Sequence, residues 1–366
     1  MQSEKKQFYS QLEGLRGVAI LLVILSHFLI VPVFPDLLFL QLGFWGVNLF
    51  FVLSGFLITE ILLQDIYRDL TPRQIFKKFY ARRTLRIFPI YYLLIIMLCL
   101  FNVEDSRDVA VYTLTYTHNI AEFSGIHSEL FCHFWSLCVE EQFYLIWPLL
   151  LILVNRKHHL LLISIMIFIG ISSRVWYIGA GLPNYPDFIW LTPACFDCLG
   201  AGALLAWMKL NRESMLMQVL KKQSLPVICT LVALIVAIQA GSPIDTSKSF
   251  NIVARLLIAL VGFFLVGAGA FNMPTYFSKF SNINFFKSIG RISYGLYVYH
   301  MMFYVLFNEW IRTSVKDMIP DGSILAVLKY NTYIPSFIIL TSASILLSYL
   351  SFVIIEKPIL KLKSRF

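Results

Sequence analysis

Apolar runs of about 17–25 residues recur along the chain, separated by short stretches rich in Lys and Arg. They fall near residues 15–33, 40–63, 85–101, 134–154, 160–179, 188–208, 225–241, 252–271, 292–311 and 333–355. Each is long enough to cross the hydrocarbon core of a bilayer as a helix. The pattern predicts an all-α integral membrane protein of about ten transmembrane helices. The first run, LRGVAILLVILSHFLIVPVF, is interrupted by Arg16 and His27. At about 100° and 1.5 Å per residue, eleven steps set both side chains on nearly one face, about 16 Å apart along the axis. A charge inside hydrocarbon costs at least about 2.5–3.5 kcal/mol. The pair is therefore expected to face a protein-lined, water-accessible cavity, and the arrangement suggests a path for a long anionic ligand.

Composition agrees with the hydropathy pattern. Of 366 residues, 58 % are hydrophobic and 14 % charged, and the mean hydropathy is +0.73. A soluble domain is about 45–50 % apolar, so a large globular core does not explain the excess. The formal net charge is +9, but its distribution is more telling. Basic clusters at Lys5–Lys6, Arg68–Arg86, Arg156–Lys157, Lys209–Lys222, Lys279–Arg291 and Lys357–Arg365 fall on one side of the expected spans. Only Arg107, Lys248, Arg312, Lys316 and Lys329 fall on the other. By the positive-inside rule both termini are cytoplasmic, as an even number of spans requires. Such clusters read as membrane topology, not as a nucleic-acid surface, and no nucleic-acid partner is expected.

The six cysteines show no disulfide framework, and Cys195 with Cys198 forms a lone CxxC read as small residues in a packed helix. No cleavable signal pattern precedes the first span, and no repeat or appended soluble domain is visible, so residues 1–366 read as one transmembrane domain. Phosphate loops, HExxH metal sites and GxSxG elbows are absent, which argues against an ATP-driven pump or a membrane zinc protease. No metal is expected.

Polar residues within the spans are the candidates for chemistry. In HFWSLCVEEQFYLIWP, residues His133, Ser136, Glu140, Tyr144 and Trp147 form a stripe on one helix face, with Glu141 about 100° away. Glu140 and His27 fall at similar depth in the expected topology, which makes them an acid/base pair or, equally, a structural His–Glu bond. Arg82, Arg83 and Arg86 precede Pro89 and the pair Tyr91 and Tyr92 at the third span. Positive-inside anchoring explains them as well as phosphate recognition does; three Arg rather than Lys favours phosphate, which guanidinium grips bidentately. Asn48 and Ser54 interrupt the second span, and Asp197 the sixth. Ser293, Tyr297, His300 and Tyr304 line one face of the ninth, where a structural Tyr–His network is the expected reading. Glu356 and Lys357 read as an anchor at the exit of the last span.

Seven stretches, LEGLRGVAILLVILSH, GVNLFFVLSGFLI, RRTLRIFPIYY, HFWSLCVEEQFYLIWP, FDCLGAGALLA, GRISYGLYVYH and IIEKP, run in order from residue 12 to 358. With them the chain resembles the acyltransferase-3 family of bacterial membrane O-acyltransferases. Glu13 departs from the Asp commoner in the opening motif, and the C-terminal extracytoplasmic esterase-like domain of some relatives is not seen. The resemblance implies a multi-pass protein of the bacterial cytoplasmic (inner) membrane that moves an acyl group, usually acetyl, from cytoplasmic acyl-CoA. The implied acceptor is a hydroxyl of an extracytoplasmic glycan, such as a lipopolysaccharide O-antigen, an exopolysaccharide or another envelope saccharide. No permanently bound cofactor is implied; acyl-CoA is the donor substrate, and a separate extracytoplasmic partner completing the transfer fits the pattern.

The residues carried over are His27, Glu140, Arg16, Arg83 and Arg86. In the resulting scheme CoA phosphates dock on Arg83, Arg86, Arg82 and Arg16. His27, kept near neutrality by burial, deprotonates the acceptor or carries the acyl group, and Glu140 orients or recharges it. Trp135, Tyr144 and Trp147 are expected to stack on sugar rings at the outer mouth. The competing class is a transporter or flippase of an envelope glycan or lipid-linked precursor using the same cavity.

Overall fold

A computed structural model describes residues 9–33, 42–182, 188–221, 228–229, 231–232, 248–274, 276–319 and 331–365. Regular structure among these residues is entirely helical. The first helix, α1 (Ser10–Leu25), widens into a π-helix over Ser26–Ile30. There follow α2 (Leu42–Tyr67), α3 (Pro72–Leu100), α4 (Phe134–Leu153), α5 (His159–Gly179) and α6 (Phe196–Asn211). After them come α7 (Lys248–Ala270), α8 (Asn284–Arg291), α9 (Ser293–Met318) and α10 (Tyr333–Ser351).

Among the described residues, seven helices are long and apolar enough to cross a membrane: α1, α2, α3, α4, α5, α7 and the last one, which runs on through a second π segment. They match seven of the ten expected spans. Of the other three, 225–241 lies almost entirely outside the described residues. The run at 188–208 becomes a 3-10 turn, Thr192–Cys195, followed by the 16-residue α6. The run at 292–311 becomes the 26-residue α9, which has the length of a span but carries Asn308, Glu309 and Arg312 as well as its tyrosines and His300.

Local sequence explains where α3 begins. Thr71 caps it: its hydroxyl accepts from the Gln74 amide, and the Gln74 side chain accepts from the Thr71 amide at 2.9 Å. Pro72 occupies the first turn, where a missing N–H costs nothing. Outward faces carry Leu93, Ile96, Leu145, Leu149, Phe168, Trp176, Ile338 and Leu346, all exposed, which is the surface a bilayer covers. Together with the seven apolar helices this describes a multi-pass membrane protein.

The interior is organised around α2, which packs against α1, α6 and α7. Its contact with α6 is close because Gly55 and Gly202 face the opposing backbones. A Cβ on Gly55 would lie 2.0 Å from the Leu199 carbonyl oxygen, and one on Gly202 only 2.1 Å from that of Val52. Membrane helices gain no hydrophobic drive from one another, so such approach supplies the packing that holds them. Gly202→Val should therefore force the two helices apart and cost about 3 kcal/mol or more. Gly179→Ala, with open space around its Cβ, should leave the melting temperature nearly unchanged. Thermal unfolding of the detergent-purified variants compares them directly.

Candidate active site

Five helices enclose one internal cavity. It holds about 790 Å³ free of protein atoms, open approach included. Arg16 enters from α1, Ser54 from α2, Arg83 and Arg86 from α3, and Ser136, Glu140, Glu141 and Tyr144 from α4. Ser293, Tyr294 and Tyr297 close it from α9. Glu140 accepts a hydrogen bond from Ser54 (2.6 Å), and the single Tyr144 hydroxyl proton is shared between Glu140 (3.2 Å) and Ser54 (3.0 Å). The Arg83 guanidinium lies 5.0 Å from the Tyr144 ring centre and 5.9 Å from that of Phe79.

Three guanidinium groups thus share this wall with two carboxylates, an excess of positive charge in a cavity of low polarity. Arg16, Arg83, Arg86 and the Glu140 carboxylate act on one another electrostatically. Yet among the described residues none of these arginines forms an ion pair or a hydrogen bond with a protein group. Guanidinium donors left free at a cavity wall suit a bidentate anion such as phosphate. Arg82 does not line the cavity, and its Nε is buried without a partner.

Ser136 and Tyr297 also line the cavity, and their hydroxyls approach to 2.5 Å; the Tyr297 hydroxyl donates to the His133 carbonyl at 2.9 Å. Against this pair sits a cluster of three imidazoles. His27, on the π segment, approaches His300 with 3.0 Å between Nδ1 and Nε2. The wider π turn is a feature often found where a helix re-aims one side chain. His300 donates from Nδ1 to the Tyr297 carbonyl at 2.7 Å. The His133 ring lies 4.6 Å from that of His300, is 3 % exposed, and has no hydrogen-bond partner on either nitrogen.

Several expectations change here. His27 does not bond Glu140: its partner is His300, because α9 lies against α1 at this depth while Glu140 turns into the cavity among Ser54 and Tyr144. Glu141, expected to face away, lines the same cavity, which is wide enough to take residues 100° apart on α4. Trp147 is no mouth residue. It is 1 % exposed, donates to Thr59 at 2.8 Å and stacks on Phe143. Trp135, 9 % exposed, packs between Trp190 and Phe51 and does not line the cavity; of the three aromatic candidates only Tyr144 does. Glu356 is buried rather than anchoring at the surface. Sequence reasoning did not single out Tyr294, and it named His133 and Ser54 without their partners, which a single helix stripe cannot relate to other helices.

Asp197 belongs elsewhere. It forms a double bond of charges with Arg174, at 2.6 and 3.1 Å, and both residues are fully enclosed. Nearby, Asn48 bonds the Phe44 carbonyl and meets the Cys198 thiol at 3.2 Å, so Cys195 and Cys198 serve packing. Outside the spans, Glu122 gathers His118, His127 and the Ser128 amide; burial raises its carboxyl, but the bonds to both histidines outweigh it and hold the group below its ordinary range.

These features define a multi-pass membrane protein with an internal cavity lined by three guanidinium groups and backed by a histidine cluster. The chain belongs to the acyltransferase-3 family, whose model, described as an acyltransferase domain, matches residues 9–353. It is 28 % identical over 378 residues to the peptidoglycan O-acetyltransferase OatA of Listeria monocytogenes, covering 97 % of this chain and 56 % of that protein. It is 25 % identical over 377 residues to the O-acetyltransferase OatA of Staphylococcus aureus, covering 96 % and 57 %. The chain thus spans little more than half the length of these relatives. No solved structure matches it.

Breaking the buried Asp197–Arg174 pair tests its structural assignment. Asp197→Asn should leave the guanidinium uncompensated and cost about 3–5 kcal/mol. Joint replacement of both residues by Leu should recover most of that loss in the same thermal scan.

Proposed function

We propose that this chain is a membrane O-acetyltransferase that takes its acetyl group from acetyl-CoA and delivers it to a hydroxyl of an extracytoplasmic envelope glycan. Peptidoglycan is the first candidate acceptor, because the relatives' names point there. The observation that carries the reading is the joining of two parts: a cavity wall with three unpaired guanidiniums, and a histidine cluster packed against its lining residue Tyr297. In this reading Arg16, Arg83 and Arg86 take the phosphates of CoA, with Arg82 adding charge at the approach. The thioester arm extends towards His27.

In the transfer, the acceptor oxygen attacks the thioester carbonyl, a C–O bond forms and the C–S bond breaks. His27 takes the hydroxyl proton and returns it to the thiolate, or first accepts the acetyl group on nitrogen and then passes it on. Either route uses one ring nitrogen with a free lone pair. Glu140, fixed by Ser54 and Tyr144, acts at the arginine end by balancing their charge rather than by touching His27. Tyr144 is the aromatic candidate that meets a ligand; Trp135 and Trp147 support the wall.

The basic clusters named above favour ten crossings with both termini cytoplasmic, α6 with its preceding turn, α9 and the 225–241 run supplying the three further crossings, in a bacterial inner membrane. A separate extracytoplasmic protein is the partner we expect to complete delivery.

Purified protein in proteoliposomes, supplied with acetyl-CoA and soluble peptidoglycan fragments, provides the test. Each guanidinium–phosphate bond contributes about 1.5–3 kcal/mol. Arg83→Ala with Arg86→Ala should thus raise the Kd for CoA at least about tenfold. His27→Ala should bind CoA normally yet lose about 100-fold or more in acetyl transfer. Normal transfer by His27→Ala would remove the catalytic assignment. Glycan movement without CoA release would replace the enzyme by a transporter.

A further inference from the structure

We propose that His300 is a positioning residue: with the Tyr297 carbonyl it holds His27 in the tautomer whose Nδ1 carries the proton and whose Nε2 lone pair is free. The inference rests on the reading of His27 as the catalytic imidazole and adds to it which nitrogen acts and what fixes it.

The argument starts from an atom that can only accept. The Tyr297 carbonyl oxygen has no proton, so His300 Nδ1, at 2.7 Å, must donate. In a neutral imidazole the other nitrogen is then an acceptor. His300 Nε2 therefore presents its lone pair to His27 Nδ1 at 3.0 Å, and His27 Nδ1 must carry the hydrogen. That leaves His27 Nε2 unprotonated. Among the described residues it makes no hydrogen bond, so nothing in the protein competes for it.

Geometry supports an end-to-end contact. The two ring planes differ by 3° and their centres are 5.2 Å apart, as in a bond made along the ring edge. Phe28 packs on His300 at 6.0 Å and His133 meets it edge-on at 4.6 Å, which restrains its rotation.

Neutral rings are the consistent assignment. No carboxylate bonds any of the three imidazoles among the described residues, and an imidazolium in such a cluster would lack a counter-charge. In many enzymes a carboxylate fixes the tautomer of a catalytic histidine. Here a backbone carbonyl acting through a second histidine performs the same task without placing an anion in the membrane interior. His300 itself need not touch substrate; it acts through His27.

Two readouts test this. In protein labelled with ¹⁵N at histidine and reconstituted in liposomes, the His27 signals are those lost in His27→Ala. They should show a protonated Nδ1 and a bare Nε2, and His300→Phe should introduce the opposite tautomer. In the acetyl-CoA assay with peptidoglycan fragments, His300→Phe should lower kcat by about 100-fold or more, since a wrong tautomer costs up to about 10⁴-fold. The KM for acetyl-CoA should stay within about threefold. His300→Gln, whose amide oxygen can accept from Nδ1–H of His27, should recover at least about tenfold of the lost kcat.

A protonated Nε2 on His27 in the unmodified protein overturns the proposal even if His300→Phe fails to fold. So does full activity in His300→Phe, or a His300→Gln variant no better than it. If His27→Ala is itself active, the catalytic reading of His27 fails first. If His27→Ala is inactive while His300→Phe is not, only the present inference falls.

Discussion

Charge inside a bilayer must be paired, hydrated or removed, and that constraint shapes the interior of this bundle. Several enclosed charges are paired at short range. Arg174 takes Asp197, Lys209 takes Glu60 at 2.6 Å, and Lys78 takes Asp65 at 2.5 Å. Arg16, Arg83 and Arg86 are treated differently. They converge on a cavity in which one of the two carboxylates, Glu140, is already engaged by hydroxyls. Their bonding capacity is left to whatever enters. The convergence of three guanidinium groups on one open space, more than the number of arginines, distinguishes the cavity from the rest of the interior.

The spans were legible because a helix facing lipid must be apolar over its whole length, which a hydropathy window measures directly. The same measure weakens for α6 and α9. Both lie against other helices and carry polar groups on their enclosed faces: Asp197 on the first, Tyr297 and His300 on the second. Enclosure alone does not decide it, since α2 is deeply buried and still apolar enough to span; α6 falls short at 16 residues and α9 through the polar groups along it.

Site residues were legible one helix at a time. Arg16, Arg83, Arg86, Glu140 and Tyr144 stand out as polar interruptions of apolar runs, and the cavity collects all five. What the chain does not display is the rotation of one helix about its axis relative to the next. Equal depth suggested that His27 meets Glu140, but depth is one coordinate of three. The facing of α9 towards α1 gives His27 another imidazole instead. Trp147 shows the complementary failure: it lies on the same stripe as Glu140, yet three further residues along α4 from Tyr144 the stripe has left the cavity and entered the core against Thr59.

The interior is also divided by kind of polarity. On one side of the Ser136–Tyr297 contact lie guanidinium and carboxylate groups; on the other, three imidazoles, a backbone carbonyl and aromatic rings. Full charges hold a polyanion well but would bind a proton-transferring ring too tightly in one state, because Coulomb energies grow as the dielectric falls. Neutral donors and acceptors can fix the direction of a ring and its tautomer without biasing it towards a permanent charge. A pair of hydroxyls thus stands between a charged cavity wall and the imidazole cluster. That division follows from helix placement: α1, α3 and α4 bring Arg16, Arg83, Arg86, Glu140 and Glu141 to the cavity, while α9 meets α1 and α4 there through the uncharged side chains of His300 and Tyr297.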